Sequence, residues 1–470
     1  MMTSDDIRTV HQAGLRLLEK TGVVFKHQPT VDLFASHGFE VDGLRVFMTE
    51  AHVEAALAVV PSWFTMEGRN PDRHLTFGGD HLVVANAAGA AFVLEGTDMR
   101  AGTMADLSTC LKLSHMSSNV DMLGNPILPQ DMPADEGYRQ SIHCCLTMSD
   151  KLLEYPIATP EHLQVALDTS EILYGADWHQ RSRVFTVLNS LSPLQFEEGT
   201  CISALELAAR NQPICLTPCV MGGTTGPVTT AGILVLQHAE VMAGLVLVQL
   251  VSPGCPFVYG GTSSISSMMT GDMLVGVPEY WALMTATVEI ANHFDLPSRA
   301  GGGLTDAHLP DMQAGIECAM GLASVMRTGV NFILHGTGII SSFNAVSFAK
   351  FVIDDELVGM LRSRLKRIDI SEETMAVSVI EDVGPGGNFL LESHTYAHCH
   401  DYDRPSFFNR RKHDVWLSRG GLDIAASAEK RAKAMLESYV APDLDPLILR
   451  QLGGYCYGHC TVAPYQAVEE

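Results

Sequence analysis

His394 and His398 stand four residues apart in "ESHTYAHCHDYD" (392–403), with Cys399, His400 and carboxylates close behind. That spacing puts two imidazoles on one face of a helix, as in helical zinc pairs. The glutamate of an H-E-x-x-H pattern is missing, because Thr395 follows His394. Polar contacts to a cofactor or a lid therefore compete with zinc as their use. "CYGHC" (456–460) is a second group of ligand types and reads as structural. The turn in "VMGGTTGPVTT" (220–230) has the glycine content of a phosphate loop, which closes with Gly-Lys-Ser/Thr so that a lysine reaches the phosphates. Here Pro227 takes the lysine's place, and no Lys or Arg occurs between Arg210 and Arg299. The missing cation argues against a nucleotide. No G-x-S-x-G elbow anchors a Ser/His/Asp triad.

Other chemistry-bearing side chains follow strand-like runs: Tyr259, Asp306, His308, His335, Phe343, Glu381 and Phe389. Aromatic faces and carboxylates together hold organic cations. Arg299 is the only Arg or Lys between 211 and 326. Inside a strand it would be costly to bury unpaired, so it either pairs with Asp295 or Asp306 or meets the carboxylate of a ligand. Glu240, within the apolar stretch 228–251, reads as a paired helix residue facing another element.

These residues need a scaffold. From about residue 100 the runs "VDMLGNP", "YPIAT", "RVFTVLNS", "PICLTPCV", "PFVYGG", "PSRAGGG" and "NFILHGTG" alternate with longer helical patterns. Such alternation predicts an α/β fold with parallel strands and helical crossovers. The expectation is a (β/α)₈ TIM barrel over 81–440, its eighth strand unplaced. A doubly wound sheet is the alternative, but no G-x-G-x-x-G follows the first strand. Residues 1–80 predict a helical and mixed module, 81–96 a hairpin, and 441–470 a C-terminal tail packed on the barrel. The turn at 221–226 then falls on the C-terminal face of the barrel, where such folds assemble sites. Thr224 or Thr225 is expected to cap the next helix, with Pro227 in its first turn. Glycines recur in 221–226, 259–264, 301–308 and 335–343, so these four segments are expected to line one mouth that admits a large flat partner.

Composition narrows the partners. Asp and Glu outnumber Lys and Arg by 54 to 30, a formal charge of -24 that repels nucleic acid and anionic lipid. The same surface attracts a cationic substrate or simply keeps the protein soluble. With 46% apolar and 18% charged residues the chain is rich in core formers. Eleven cysteines follow no disulfide spacing, and "MMTSDDIRTV" lacks signal-peptide features. Gln237, His238, Glu240 and Gln249 interrupt the longest apolar stretch, which suits a buried helix and no membrane span. A cytoplasmic protein is expected, and the apolar composition is compatible with a homo-oligomer.

"MGGTTGPVTTAGILVLQHAEVMAGLVLVQLVSPGCPFVYGG" resembles the central signature of the trimethylamine methyltransferase superfamily. "TDAHLPDMQAGIE" (305–317), "VIDDELV" (352–358), "GGNFLLESHTYAH" (386–398) and "NRRKHDVWLSRGG" (409–421) resemble its later landmarks. "LRLLEKTGVVF" and "EAALAVVPSWFTMEGRNP" resemble its opening, so the likeness spans nearly the whole chain. The resemblance implies a barrel enzyme that moves a methyl group from a methylated amine to Co(I) of a corrinoid on a separate small protein, which caps the mouth. Members acting on trimethylamine carry pyrrolysine. This chain has only the ordinary residues and so resembles the branch associated with quaternary amines such as glycine betaine, proline betaine or carnitine. On that footing Asp306 and His335 are the expected catalytic positions, and Tyr259, Arg299, His308, Phe343, Glu381 and Phe389 the expected substrate contacts. Gly222, Gly223, Thr224, Thr225, His394 and His398 are expected to face the corrinoid, with no metal bound by this chain. Two other readings are a quaternary-amine binding protein without catalysis and a zinc-dependent barrel hydrolase using His394 and His398.

Metal analysis of the purified protein separates these readings. No stoichiometric zinc is expected; one tight zinc per chain, lost in His394→Ala or His398→Ala, would favour the hydrolase.

Overall fold

The computed structural model describes residues 2–401 and 407–458. Its centre is a six-stranded, all-parallel sheet in the order Val83–Val84, Phe332–Leu334, Ser298–Gly301, Phe257–Gly260, Ile214–Leu216, Thr186–Leu188. Single parallel bridges, Ala85 to Met122, Leu123 to Leu153 and Glu154 to Phe185, add two further segments beside the edge strands. The result is an α/β fold with helices around a curled parallel sheet.

Alternate residues of a strand face opposite ways, and apolar content on both faces marks a sheet covered on both sides. One face brings Val83, Ala85, Met122, Phe185, Cys215, Val258, Phe332 and Leu334 into a common cluster with Phe64, Met66 and Phe77. The last three belong to the antiparallel hairpin Trp63–Met66/Leu75–Gly78. Its rings continue into the sheet: Phe64 on Phe77 at 5.0 Å, Phe77 on Phe185 at 5.2 Å, Phe185 on Phe332 at 5.2 Å. Asn331, just before its strand, donates to the carbonyls of Gly79 and His81. The hairpin therefore seals the N-terminal ends of the strands. The other face, with Leu188, Leu216, Tyr259, Ala300 and Ile333, packs under the helices.

Residues 81–96 do not form the expected hairpin. Val83 and Ala85 carry inward apolar side chains, so this run joins the parallel sheet beside Phe332–Leu334. The second run, Phe92–Glu95, pairs instead with Asp98–Ala101 and with Ala345–Val346. The strand expected in "YPIAT" begins earlier, with bridges at Leu153 and Glu154.

The apolar helix Thr230–Val251 is long enough to cross a membrane but is largely buried, against Ser4–Lys20, Glu50–Leu57 and Glu198–Ala209. Gly244 lets Leu216 approach, since a Cβ there would lie 2.3 Å from a Leu216 methyl. Glu240 has hydrogen-bond donors for partners and no cation: it accepts from the Ser192 hydroxyl at 2.8 Å, from the Ser190 hydroxyl, and from the Leu194 amide at 2.8 Å. Burial raises its pKa, and those donors oppose the rise. Further on, Ile424–Glu437 lies on Phe348–Leu365 and Met104–Met116, and Pro446–Cys456 on Ala134–Met148 and Pro160–Tyr174. Among the described residues, none from 366 to 427 is buried.

Glu240→Ala strands the Leu194 amide without an acceptor and leaves two hydroxyls to re-pair. A loss of about 2–4 kcal/mol is expected, read as a lower urea midpoint at unchanged slope.

Candidate functional site

Four segments meet at the C-terminal ends of the strands. Met221–Gly222 pairs in parallel with Ser264–Ile265, and the Val220 amide donates to Ser263 Oγ at 2.9 Å. The Gly303 amide donates to the His335 carbonyl at 3.0 Å, and the Ser342 amide to the Thr305 carbonyl at 2.8 Å. A Cβ on Gly303 would lie 2.6 Å from the carbonyl oxygens of His335 and Gly336, so only glycine permits this approach. Lys350 stiffens the rim from below: its Nζ donates to the Gly303 carbonyl and to Asp354, whose carboxylate accepts the Gly338 amide at 2.8 Å.

The Gly-Thr turn closes on itself. The amides of Thr224 and Thr225 donate to the Met221 carbonyl, the Met221 amide to Thr225 Oγ1, and Thr224 Oγ1 to the same Met221 carbonyl. Neither threonine caps the following helix. It starts at Thr230 behind Thr229, which makes no side-chain cap, and Pro227 lies before it. Both hydroxyls are already committed to the turn. Gly223 holds φ at +89°, and Gly222 faces Ile233.

Arg299 shares a register row with Gly260 and Phe332, which places it on the inward face. It is 2% exposed, and its Nη1 reaches the Gly261 carbonyl at 2.9 Å, just past the strand ends. Neither Asp295 nor Asp306 pairs with it, and its Nε has no partner among the described residues. Glu154 is also inward, 3% exposed, and among the described residues its carboxylate accepts only the Val187 amide, at 3.2 Å. Burial pushes its pKa up to about 7, with Arg299 acting in the opposite sense. Sequence reasoning missed Glu154, although a lone carboxylate in the apolar run 152–155 was the available signal.

His335 sits at the end of its strand with φ +63°, unusual for a residue with a side chain. Its Nδ1 lies 3.2 Å from the Ala88 amide and accepts that proton, which leaves the ring's own hydrogen on Nε2. Burial, and secondarily Arg299, pushes its pKa down to about 3. Phe343 packs edge-on against it at 5.3 Å. Asp306 serves as a clamp, accepting from the amides of Val275 and Gly276 and from the Ser342 hydroxyl at 2.7 Å. His308 Nδ1 lies 2.8 Å from Ser341 Oγ.

The remaining expected contacts lie elsewhere. Tyr259 faces the helices, because it is out of phase with inward Val258; its hydroxyl bonds His238 Nδ1 at 2.9 Å, and His238 Nε2 meets His11 at 2.8 Å. Glu381, Phe389, His394 and His398 belong to the exposed stretch after Phe348–Leu365. That helix ends at the sealed end of the sheet, where Arg362 pairs with Asp121. His394 contacts the Glu373 carbonyl, and His398 contacts Asp401 and Glu373. Of "CYGHC", residues 459 and 460 lie outside the described residues, and Cys456 is buried.

The sequence profile described as "Trimethylamine methyltransferase (MTTB)" matches residues 1–458. The chain is 35% identical over 460 residues to the glycine betaine methyltransferase of Desulfitobacterium hafniense strain Y51, covering 97% of this chain and 96% of the relative. It is 27% identical over 456 residues to the trimethylamine methyltransferase MttB of D. hafniense strain DCB-2, covering 96% and 92%. Among solved structures it is similar to the monomethylamine methyltransferase MtmB of Methanosarcina barkeri, with TM-score 0.53, 12% identity, and 94% and 89% coverage.

The depressed His335 pKa sets a pH dependence. An unfolded histidine titrates near 6.5, so between about pH 6.5 and 3 the unfolded chain binds a proton that folded His335 refuses. Its contribution to stability is complete above the unfolded pKa and is lost as pH falls through that window. His335→Asn, which tolerates the same φ, should lose less stability than the parent between pH 7 and pH 5 in urea titrations.

Proposed function

The chain belongs to the trimethylamine methyltransferase family, and on that premise we propose that it demethylates a quaternary amine carrying a carboxylate, with glycine betaine the first candidate. The observation that carries this reading is Arg299, a buried guanidinium with one backbone acceptor and an unpartnered Nε below the mouth. A charge-assisted bond to a substrate carboxylate would complete it. The named activity of the relative at 35% identity supports the same substrate class.

The chain is a methyltransferase, and a quaternary ammonium suits its side chains. The departing group is already a neutral tertiary amine, so no proton donor is needed at nitrogen. Catalysis then rests on aiming one methyl group outward and excluding water. Arg299 would anchor the carboxylate end. Glu154, inward on the same face, offers the opposite charge for the ammonium, and Phe343 an aromatic wall. Neutral His335 adds an Nε2–H donor without a competing positive charge. Asp306 holds the rim segments at 275–276 and 342 in place as a positioning residue.

When docked, a corrinoid on a separate protein supplies the Co(I) that accepts the methyl group. What supports a flat partner at the rim is its exposed apolar side chains, Met268, Met269 and Met312, with Met268 lying over Gly223. We read the six strands and the two bridged segments as one closed (β/α)₈ ring, supported by the bridges at 85–122, 123–153 and 154–185. A cytoplasmic site of action is part of the same proposal.

The purified protein should methylate cob(I)alamin from glycine betaine and show little transfer from trimethylamine. Arg299→Met should lower kcat/KM for the betaine by about 10–100-fold, the worth of one charge-assisted bond. It should spare a quaternary amine that has no carboxylate. Robust activity with trimethylamine and none across a quaternary panel would overturn the reading.

A further inference from the structure

Between the helices Phe348–Leu365 and Ile424–Glu437, the described residues 366–401 and 407–423 form an arm without a core of its own. Its helices, Glu372–Met375, Val377–Val383, Ser393–His398 and His413–Ser418, bury no side chain. Helices this short are not stable in isolation, and ordering a chain without burial has no compensating term. Yet the arm exposes large apolar residues: Ile368 at 85%, Leu390 at 74%, Leu391 at 93% and Tyr396 at 85%. Leu390 and Leu391 are neighbours in the chain, and exposed apolar side chains this concentrated mark contact with another molecule.

Charge identifies the molecule. Residues 368–401 contain Asp369, Glu372, Glu373, Glu381, Asp382 and Glu392 without a single Lys or Arg. Residues 407–422 reverse the balance with Arg410, Arg411, Lys412 and Arg419 against one Asp414. None of these four cations forms an ion pair among the described residues. Arg410, Arg411 and Arg419 line a cavity of about 620 Å³ together with Phe407, Phe408 and Trp416. Its lining includes one carboxylate, Asp423, which accepts the Ala426 amide, so three guanidiniums leave the concave face net basic on a chain of net charge -24. The arm thus carries two lobes of opposite sign. A two-fold axis brings each lobe of one chain onto the opposite lobe of the other, which is the requirement for a self-complementary interface. The arm also emerges at the sealed end of the sheet, away from the mouth.

We propose that this arm is the docking surface for a second copy of the chain, its acidic lobe seating in the partner's basic, aromatic-lined cavity. The proposal is independent of the substrate assignment.

Sedimentation equilibrium of the full chain tests it. The parent should be a dimer or a larger even assembly. Arg410→Glu/Arg411→Glu/Lys412→Glu and Glu372→Lys/Glu373→Lys/Glu381→Lys should each weaken self-association at least about tenfold, with raised salt weakening the parent as well. An equimolar mixture of the two charge-reversed proteins should reassociate, since each supplies what the other lacks. Leu390→Glu/Leu391→Glu should be monomeric with an unchanged unfolding profile at high dilution. A monomeric parent, unchanged mass in all three variants, or a mixture that stays monomeric would each overturn the proposal. So would variants that self-associate normally but no longer bind a corrinoid protein.

Discussion

The two-residue alternation of parallel strands decides which side chains can take part in chemistry here. Arg299 reaches the interior because it shares a row with Gly260 and Phe332, while Tyr259, one residue out of phase, is spent on the helix layer. On one side of Arg299 in this row, a Cβ at Gly260 would stand 2.1 Å from Thr217 Oγ1, so only glycine fits there; Phe332 flanks the arginine on the other side. A cation buried with one carbonyl acceptor is expensive to maintain. It persists on an inward face that is otherwise mostly apolar, with Glu154 the other buried ionisable group there, and it draws the ligand argument toward an anionic group.

The rim above it is rigid for an ordinary reason: its polar groups satisfy one another. Asp306 takes two backbone amides and a hydroxyl, Thr225 and Met221 close the glycine turn, and Lys350 with Asp354 joins two rim loops from beneath. Buried Thr262 Oγ1, Ser266 Oγ and Thr337 Oγ1 have no partner among the described residues, whereas both oxygens of Asp306 are engaged. That difference separates the residues that can meet a ligand from those that shape its surroundings, and it places Asp306 in the second group. Polar groups that satisfy one another hold one geometry.

Much of this was legible in sequence. The strand and helix alternation and the convergence of the four glycine-bearing segments follow from local pattern, as does the burial of Glu240. Arg299 stands out as the only Arg or Lys of 211–326, but the pattern does not say whether Asp295 or Asp306 pairs with it. Facing was not legible for Tyr259, because a strand bounded by Pro256 and Gly260 gives no phase until its neighbours are known. Glu154 escaped notice because its run is short and strands of two or three residues hardly register as periodic. The arm at 366–422 misled most. Its motifs contain reactive residue types, yet sequence spacing carries no information about which end of the sheet a segment reaches.

The aromatic hairpin at the base has a kinetic meaning. With Phe64, Met66 and Phe77 stacked across the N-terminal ends of the strands, that end of the sheet offers no way in, which leaves the C-terminal mouth. If the amine and a corrinoid carrier both use the mouth, as proposed above, the amine would have to be seated before the carrier arrives, and the demethylated amine would wait until the carrier has left. Turnover would then have a compulsory order, and a surplus of carrier would slow it by standing in the doorway.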